Sequence, residues 1–304
     1  MRGADVTNCT ANRNTTRGDD KLIFIHLPKT GGMTLRNILY LQYAKESIFE
    51  IWGNQANGLS AFFSLSNEEK ANLSCLLGHM SFGFHEYLPG QSRYITILRH
   101  PVGRLISEYR HMARTPNQPR TWQVPGPHLK SLEDYLAYRV ESHSLNIQTR
   151  LIGGYVDIDS PNLPFDPLPE DALERAKQNL RNKFIVVGVT ERFEESILLM
   201  KMELGWRGSI LSRRRNTSAL PSGSSAGVSP ETRERIAKVS EPDMELYQLA
   251  CELQAEKVQA QDENFQSELK RFQNANRRIY ALQAGYWKIF PGKLRRLIKR
   301  IVKM

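Results

Sequence analysis

Four short apolar runs punctuate the chain, and three of them lead directly into a stretch with helical spacing. KLIFIH (21–26) stops at Pro28 and a glycine pair, and Leu35, Ile38 and Tyr40 to Leu41 then give an approximate helical stripe after Thr34. CLLG (75–78) is a second run. YITIL (94–98) passes through Arg99-His100-Pro101 into Val102, Leu105, Ile106 and Tyr109, which share one helical face. FIVVG (184–188) repeats the unit before ERFEESILLMKMELG. A strand with no polar alternation is covered on both sides, so runs of this kind alternating with amphipathic helices predict an α/β fold with a parallel sheet and helices on both faces.

Polar segments divide the rest. Residues 1–20 are rich in Thr, Asn and Asp without periodicity and read as a disordered leader; residues 21–250 carry the alternation. Loops at 113–130, 155–170 and 207–230 interrupt it, and loops this long in a compact domain are often lids or binding segments. Ser131 with Asp134, and Ser240 with Asp243, read as N-cap pairs opening helices. A long helix over 243–283 is expected, and residues 251–304 form a C-terminal helical extension. It ends in a basic amphipathic helix, with Leu294, Leu297, Ile298 and Ile301 on one face and Arg295, Arg296, Lys299, Arg300 and Lys303 around it.

Charge changes this picture at one place. The 304 residues carry a formal net charge of +10, of which +7 lies in residues 251–304. A near-neutral body with a basic tail argues against a nucleic-acid-binding surface; with Tyr286, Trp287 and Phe290 beside it, the tail suits an anionic membrane surface, an anionic polysaccharide or a partner, or else simple packing on the domain with a solvated basic face. Three widely spaced cysteines support neither a disulfide framework nor a cysteine zinc site. With no apolar leader or spanning run, the expected location is cytoplasmic, peripheral at the membrane if the tail docks there.

The candidate chemistry sits where strands end. HLPKTGGMT (26–34) joins a strand to a helix, and small residues there let backbone N–H groups converge on an anion, assisted by Lys29, Thr30 and Thr34. The nucleoside triphosphatase loop G-x-x-x-x-G-K-[ST] puts its lysine after the glycines; here Lys29 precedes them. Arg99 ends the next strand and Ser107 follows two helical turns on, a pair suited to holding a further phosphate. Either residue alone is as readily a surface charge or a tolerated helix position. His79, after CLLG, has the chemistry of a general base near neutral pH, although a lone strand-end histidine is more often structural. His85 lacks the companions of a metal site.

Taken together, KLIFIHLPKTGG followed by RHPVGRLISEY resembles the sulfotransferase superfamily that uses 3′-phosphoadenosine-5′-phosphosulfate (PAPS), specifically the carbohydrate type related to heparan and dermatan sulfate 2-O-sulfotransferases. The resemblance covers roughly residues 21–250. It implies a P-loop-like sheet, and a 5′-phosphosulfate loop made of Pro28, Lys29, Thr30, Gly31, Gly32, Met33 and Thr34. It also implies a 3′-phosphate motif in Arg99 and Ser107, and, from Gly78-His79-Met80-Ser81-Phe82, a catalytic base in His79. Related enzymes close a basic loop over the nucleotide, which implies contacts from Arg215, Asn216, Thr217 and Ser218. The implied reaction is in-line transfer of a sulfuryl group to a hydroxyl of a carbohydrate or glycoconjugate, with Lys29 steadying the departing phosphate. It leaves adenosine 3′,5′-bisphosphate and needs no metal. His100 departs from the pattern, since many members carry Asp or Asn before the proline. A kinase of the P-loop class and a polyanion- or membrane-docking protein with a degenerate nucleotide site are the rival expectations.

Overall fold

The computed structural model describes residues 20–51, 55–115, 124–155, 165–211 and 227–289. Five strands, β1 (Lys21–Ile25), β2 (Ile48–Ile51), β3 (Cys75–Gly78), β4 (Ser92–Leu98) and β5 (Phe184–Val189), form one parallel sheet in the order β2-β3-β1-β4-β5. The alternate residues of β1 serve different layers. Ile23 and Ile25 join a cluster with Phe62, Leu151 and Leu246, while Leu22 and Phe24 join another with Leu35, Ile38 and Ile197. Burial on both faces is why these runs lack polar alternation, and it bears out the α/β expectation.

The helices are α1 (Gly32–Gln42), α2 (Gln55–Phe63), α3 (Asn67–Ala71), α4 (Pro101–Arg114), α5 (Leu132–Glu141), α6 (Ile147–Gly153), α7 (Ala172–Lys183), α8 (Phe193–Glu203), α9 (Pro230–Val239), α10 (Glu241–Gln259) and α11 (Glu263–Ile289). A third apolar cluster sits outboard of the sheet, where Val102, Leu105 and Ile106 of α4 meet Tyr135 and Leu136 of α5 and Ile236 of α9. Ser131 caps α5 as expected, accepting from Asp134 N–H at 3.0 Å. Among the described residues no helix is long and apolar enough to cross a membrane.

Several expectations need correction. On α1 the buried residue is Leu39, while Leu41 is 54% exposed, so the core stripe is Leu35, Ile38, Leu39. Edge strand β2 was not expected: its four residues include Glu50, and only Ile51 is buried. The helix expected over 243–283 is two helices. Asp262 caps the second, accepting from Phe265 N–H at 3.2 Å. Ser240 makes no side-chain cap; the Asp243 N–H it would accept from donates instead to Asn146 Oδ1 at 3.2 Å. The expected boundary at residue 250 falls inside α10, where Gln254 Oε1 accepts the Val189 N–H at 2.9 Å, and Phe265, Leu269 and Phe272 of α11 pack into the sheet's second layer.

The sheet order positions the site. Because β3 and β4 flank β1, the segments leaving all three strands emerge side by side at one carboxyl edge, about 4.8 Å apart per strand. In doubly wound sheets this divergence of connections is where ligands bind.

Candidate active site

The chain leaves β1 through His26, whose N–H continues the ladder to Gly78 O at 2.8 Å. It then turns sharply. Lys29 (φ 69°) and Gly31 (φ 87°) both occupy the left-handed region, and buried Thr30 ties the turn with a 2.8 Å bond from its hydroxyl to Leu27 O. Helix α1 begins without a side-chain cap. Thr34 N–H donates to Gly31 O at 2.9 Å, and the chain turns at Pro28–Lys29 just before the helix, so among the described residues the N–H groups of Gly31, Gly32 and Met33 make no backbone hydrogen bond. Three such amides at a helix start, beside the half-buried Lys29, are a donor set suited to an anion of phosphate type.

Only glycine fits at 32. A Cβ there would lie 1.9 Å from His26 Cδ2, so the loop rests directly on the imidazole. That ring is buried and stacks on His79 with centroids 4.5 Å apart. Burial first, and then the neighbouring His79, hold the His26 pKa well below its ordinary value, so it stays neutral. Gly32→Ala is therefore expected to displace His26, destabilise the fold by about 1–3 kcal/mol and weaken nucleotide binding. A thermal melt with and without nucleotide checks this; an unchanged melt would show that the loop can lift off the ring.

His79 follows β3. Its N–H donates to Ile51 O at 3.0 Å, and Gly78 (φ 147°) brings the strands so close that a Cβ would sit 2.1 Å from that same carbonyl. Ring atom Nδ1 lies 2.7 Å from His26 O. A carbonyl only accepts, so Nδ1 carries the proton and Nε2 bears the lone pair. Burial lowers the His79 pKa, partly offset by that bond, and the neutral base form dominates at neutral pH. His85 does not join this cluster: its Nδ1 is 2.8 Å from the Tyr94 hydroxyl. Among the described residues no three His, Cys, Asp or Glu side chains group as metal ligands.

Arg99 leaves the end of β4 and reaches back to the loop, its Nη1 donating to Lys29 O at 3.0 Å. Burial lowers its pKa and Glu191 opposes this; an arginine remains charged throughout the working range. Its guanidinium lies over Gly103, where a Cβ would stand 3.6 Å from Nε. Gly103 and Ser107, four residues apart, lie on one face of α4, with Ser107 half-buried, and Arg99 before the helix reaches over the first of them. Thr190, just past β5, closes the edge, its hydroxyl 2.9 Å from both Thr30 O and Leu98 O.

The structure thus brings Pro28 to Thr34, His79 and Arg99 to one edge, with Ser107 farther along α4. Arg215, Asn216, Thr217 and Ser218 lie outside the described residues, as does the basic segment 290–304. Sequence reading passed over His26, Gly103, Gln148 and Thr190. The four-residue spacing of Arg99, Gly103 and Ser107 was a signal available for the second of these; the other contacts join segments far apart in the chain.

A parallel sheet whose central strand runs through a tight glycine-containing loop into a helix, with an arginine at the end of the adjacent strand bonded to that loop, is a P-loop-like architecture. The chain belongs to the Galactose-3-O-sulfotransferase family, which matches residues 4–286. It is similar to heparan-sulfate 6-O-sulfotransferase 2 of Danio rerio, at 26% identity over 91% of this chain and 67% of that protein. Galactose-3-O-sulfotransferase 2 of Sus scrofa is also 26% identical, over 75% of this chain and 59% of its own length. Uronyl 2-sulfotransferase of Homo sapiens is 28% identical over 40% of this chain and 32% of its own. Among solved structures, a sulfotransferase from Alicyclobacillus acidocaldarius aligns over 75% of this chain and 93% of its own, at 15% identity and TM-score 0.38. A mouse sulfotransferase complexed with PAP aligns over 73% and 63%, at 13% and 0.37. The chain is thus an enzyme of a carbohydrate sulfotransferase family.

Proposed function

We propose that this enzyme transfers the sulfuryl group of PAPS onto a carbohydrate hydroxyl with His79 as general base, and that Arg99 and Ser107 recognise the donor's 3′-phosphate while Lys29 and the amides of 31–33 receive its 5′-phosphate. The observation that supports this is the 3.0 Å bond from Arg99 to Lys29 O, which ties the end of β4 to the loop after β1 on the edge that also bears His79. His79 Nε2 accepts the proton of the attacking hydroxyl. As the bond from sulfur to the departing phosphate breaks, charge grows on that phosphate, and Lys29 with the loop amides stabilises it. No divalent cation enters this account. The relatives are named for heparan sulfate, galactose and uronyl acceptors. Arg110, His111 and Arg114 continue along α4 beyond Ser107, which favours an anionic polysaccharide.

Calorimetric titration in excess EDTA tests the donor assignment. Adenosine 3′,5′-bisphosphate is expected to bind more tightly than AMP or ADP, and Arg99→Ala to weaken the bisphosphate about ten- to hundredfold, the loss of a charge-assisted contact, with little change for AMP. Equal binding of all three nucleotides would defeat the assignment.

A further inference from the structure

Arg99 is held from behind. Gln148, at the start of α6 and without exposed surface, pairs with the Arg99 peptide in both directions: Oε1 accepts the Arg99 N–H at 2.9 Å and Nε2 donates to Arg99 O at 3.0 Å. This is what a neighbouring strand would supply, offered by one side chain at the point where β4 ends. Gln148 is itself anchored. Asp243, 1% exposed in the first turn of α10, accepts from Gln148 N–H at 3.4 Å and from the Thr149 N–H and hydroxyl at 2.8 and 2.9 Å, and its own N–H donates to Asn146 Oδ1 at 3.2 Å. The junction of α6 with α10 is therefore a polar unit built around the buried Gln148, Thr149 and Asp243, and Gln148 carries it to the peptide of Arg99.

We propose that Gln148 is a positioning residue for 3′-phosphate recognition: it fixes the Arg99 backbone so that the guanidinium leaves across Gly103 toward Lys29 O. This rests on the donor reading above. A side chain reaching from a mobile peptide would sample many directions, and a clamped peptide removes that freedom before the nucleotide arrives. Gln148 touches no reacting atom, so its effect is on selectivity between nucleotides.

The test compares Gln148→Met, which keeps length and volume but neither bond, with Thr149→Val, which removes a bond within the same junction and none to Arg99. Affinities for adenosine 3′,5′-bisphosphate and AMP are measured for each, with KM for PAPS and kcat. Gln148→Met is expected to reduce the preference for the bisphosphate about tenfold and raise KM similarly, with AMP affinity and kcat within about twofold of the parent. Thr149→Val is expected to melt lower and leave both affinities unchanged. Equal weakening of the two nucleotides, or the same loss of preference in Thr149→Val, overturns the proposal. Should Gln148→Met fail to fold, Gln148→Glu retains the acceptor for the Arg99 N–H and is expected to show a smaller loss confined to the bisphosphate; a loss shared by AMP overturns it equally. Absence of any bisphosphate preference in the parent protein would defeat the donor reading instead.

Discussion

His79→Ala is expected to lower kcat by about 10²–10⁴ while leaving affinity for adenosine 3′,5′-bisphosphate within about twofold, because a base touches the acceptor proton and not the nucleotide's phosphates. The direction of the pH dependence follows from burial. Desolvation penalises the imidazolium, so the pKa falls below 6.5 and the base is deprotonated over a wider range than a free histidine. In the parent enzyme kcat/KM should rise with pH along an acid limb centred below 6.5 and then level off; in the variant that limb should vanish. An acid limb that persists in His79→Ala would mean that another group accepts the proton. His26 adds a stability effect of the same sign. It is held neutral in the fold and titrates near 6.5 when unfolded, so the stability it contributes is present above that pH and declines as pH falls below it.

Loss of the Lys29 ammonium should cost about 10²–10³ in kcat, the usual size for one preorganised group facing a developing negative charge. Two substitutions separate charge from backbone. Lys29 occupies the left-handed region at φ 69°, which costs a non-glycine residue about 1 kcal/mol or more. Lys29→Gly removes the ammonium and that strain together; Lys29→Ala removes the ammonium alone. Both should lose turnover alike, yet the glycine variant should melt no lower than the parent and above the alanine variant. Single-turnover rates and melts of the pair decide the matter. Turnover retained by either variant would mean that the ammonium does not act on the departing phosphate.

The four apolar runs were legible because strands buried on both faces need an unbroken apolar sequence, and each of the four forms a strand of the sheet. Strand β2 was not, since an edge strand with one buried residue leaves almost no pattern. The motif residues at 28–34, 79, 99 and 107 were readable from their order at strand ends, but not the contacts that make them a site. The bond from Nδ1 of His79 to His26 O spans 53 residues of sequence, that of Gln148 to Arg99 spans 49, and that of Asp243 to Thr149 spans 94. Only the strand order brings such segments together. Asp243 shows the cost of local reading most clearly: the spacing Ser240 to Asp243 has the look of a cap, while the carboxylate serves the amides of a different helix.

The bond between Arg99 and Lys29 has a bearing on how the enzyme would behave among its own products. On the donor reading, recognition rests on the two ends of the nucleotide, and both ends survive the reaction; only the sulfuryl group departs. The spent nucleotide therefore meets nearly the same set of partners as the fresh one and competes for the site at comparable strength. Throughput in a cell would then follow the ratio of charged to spent donor, and would depend on a separate phosphatase activity that strips the 3′-phosphate from the by-product.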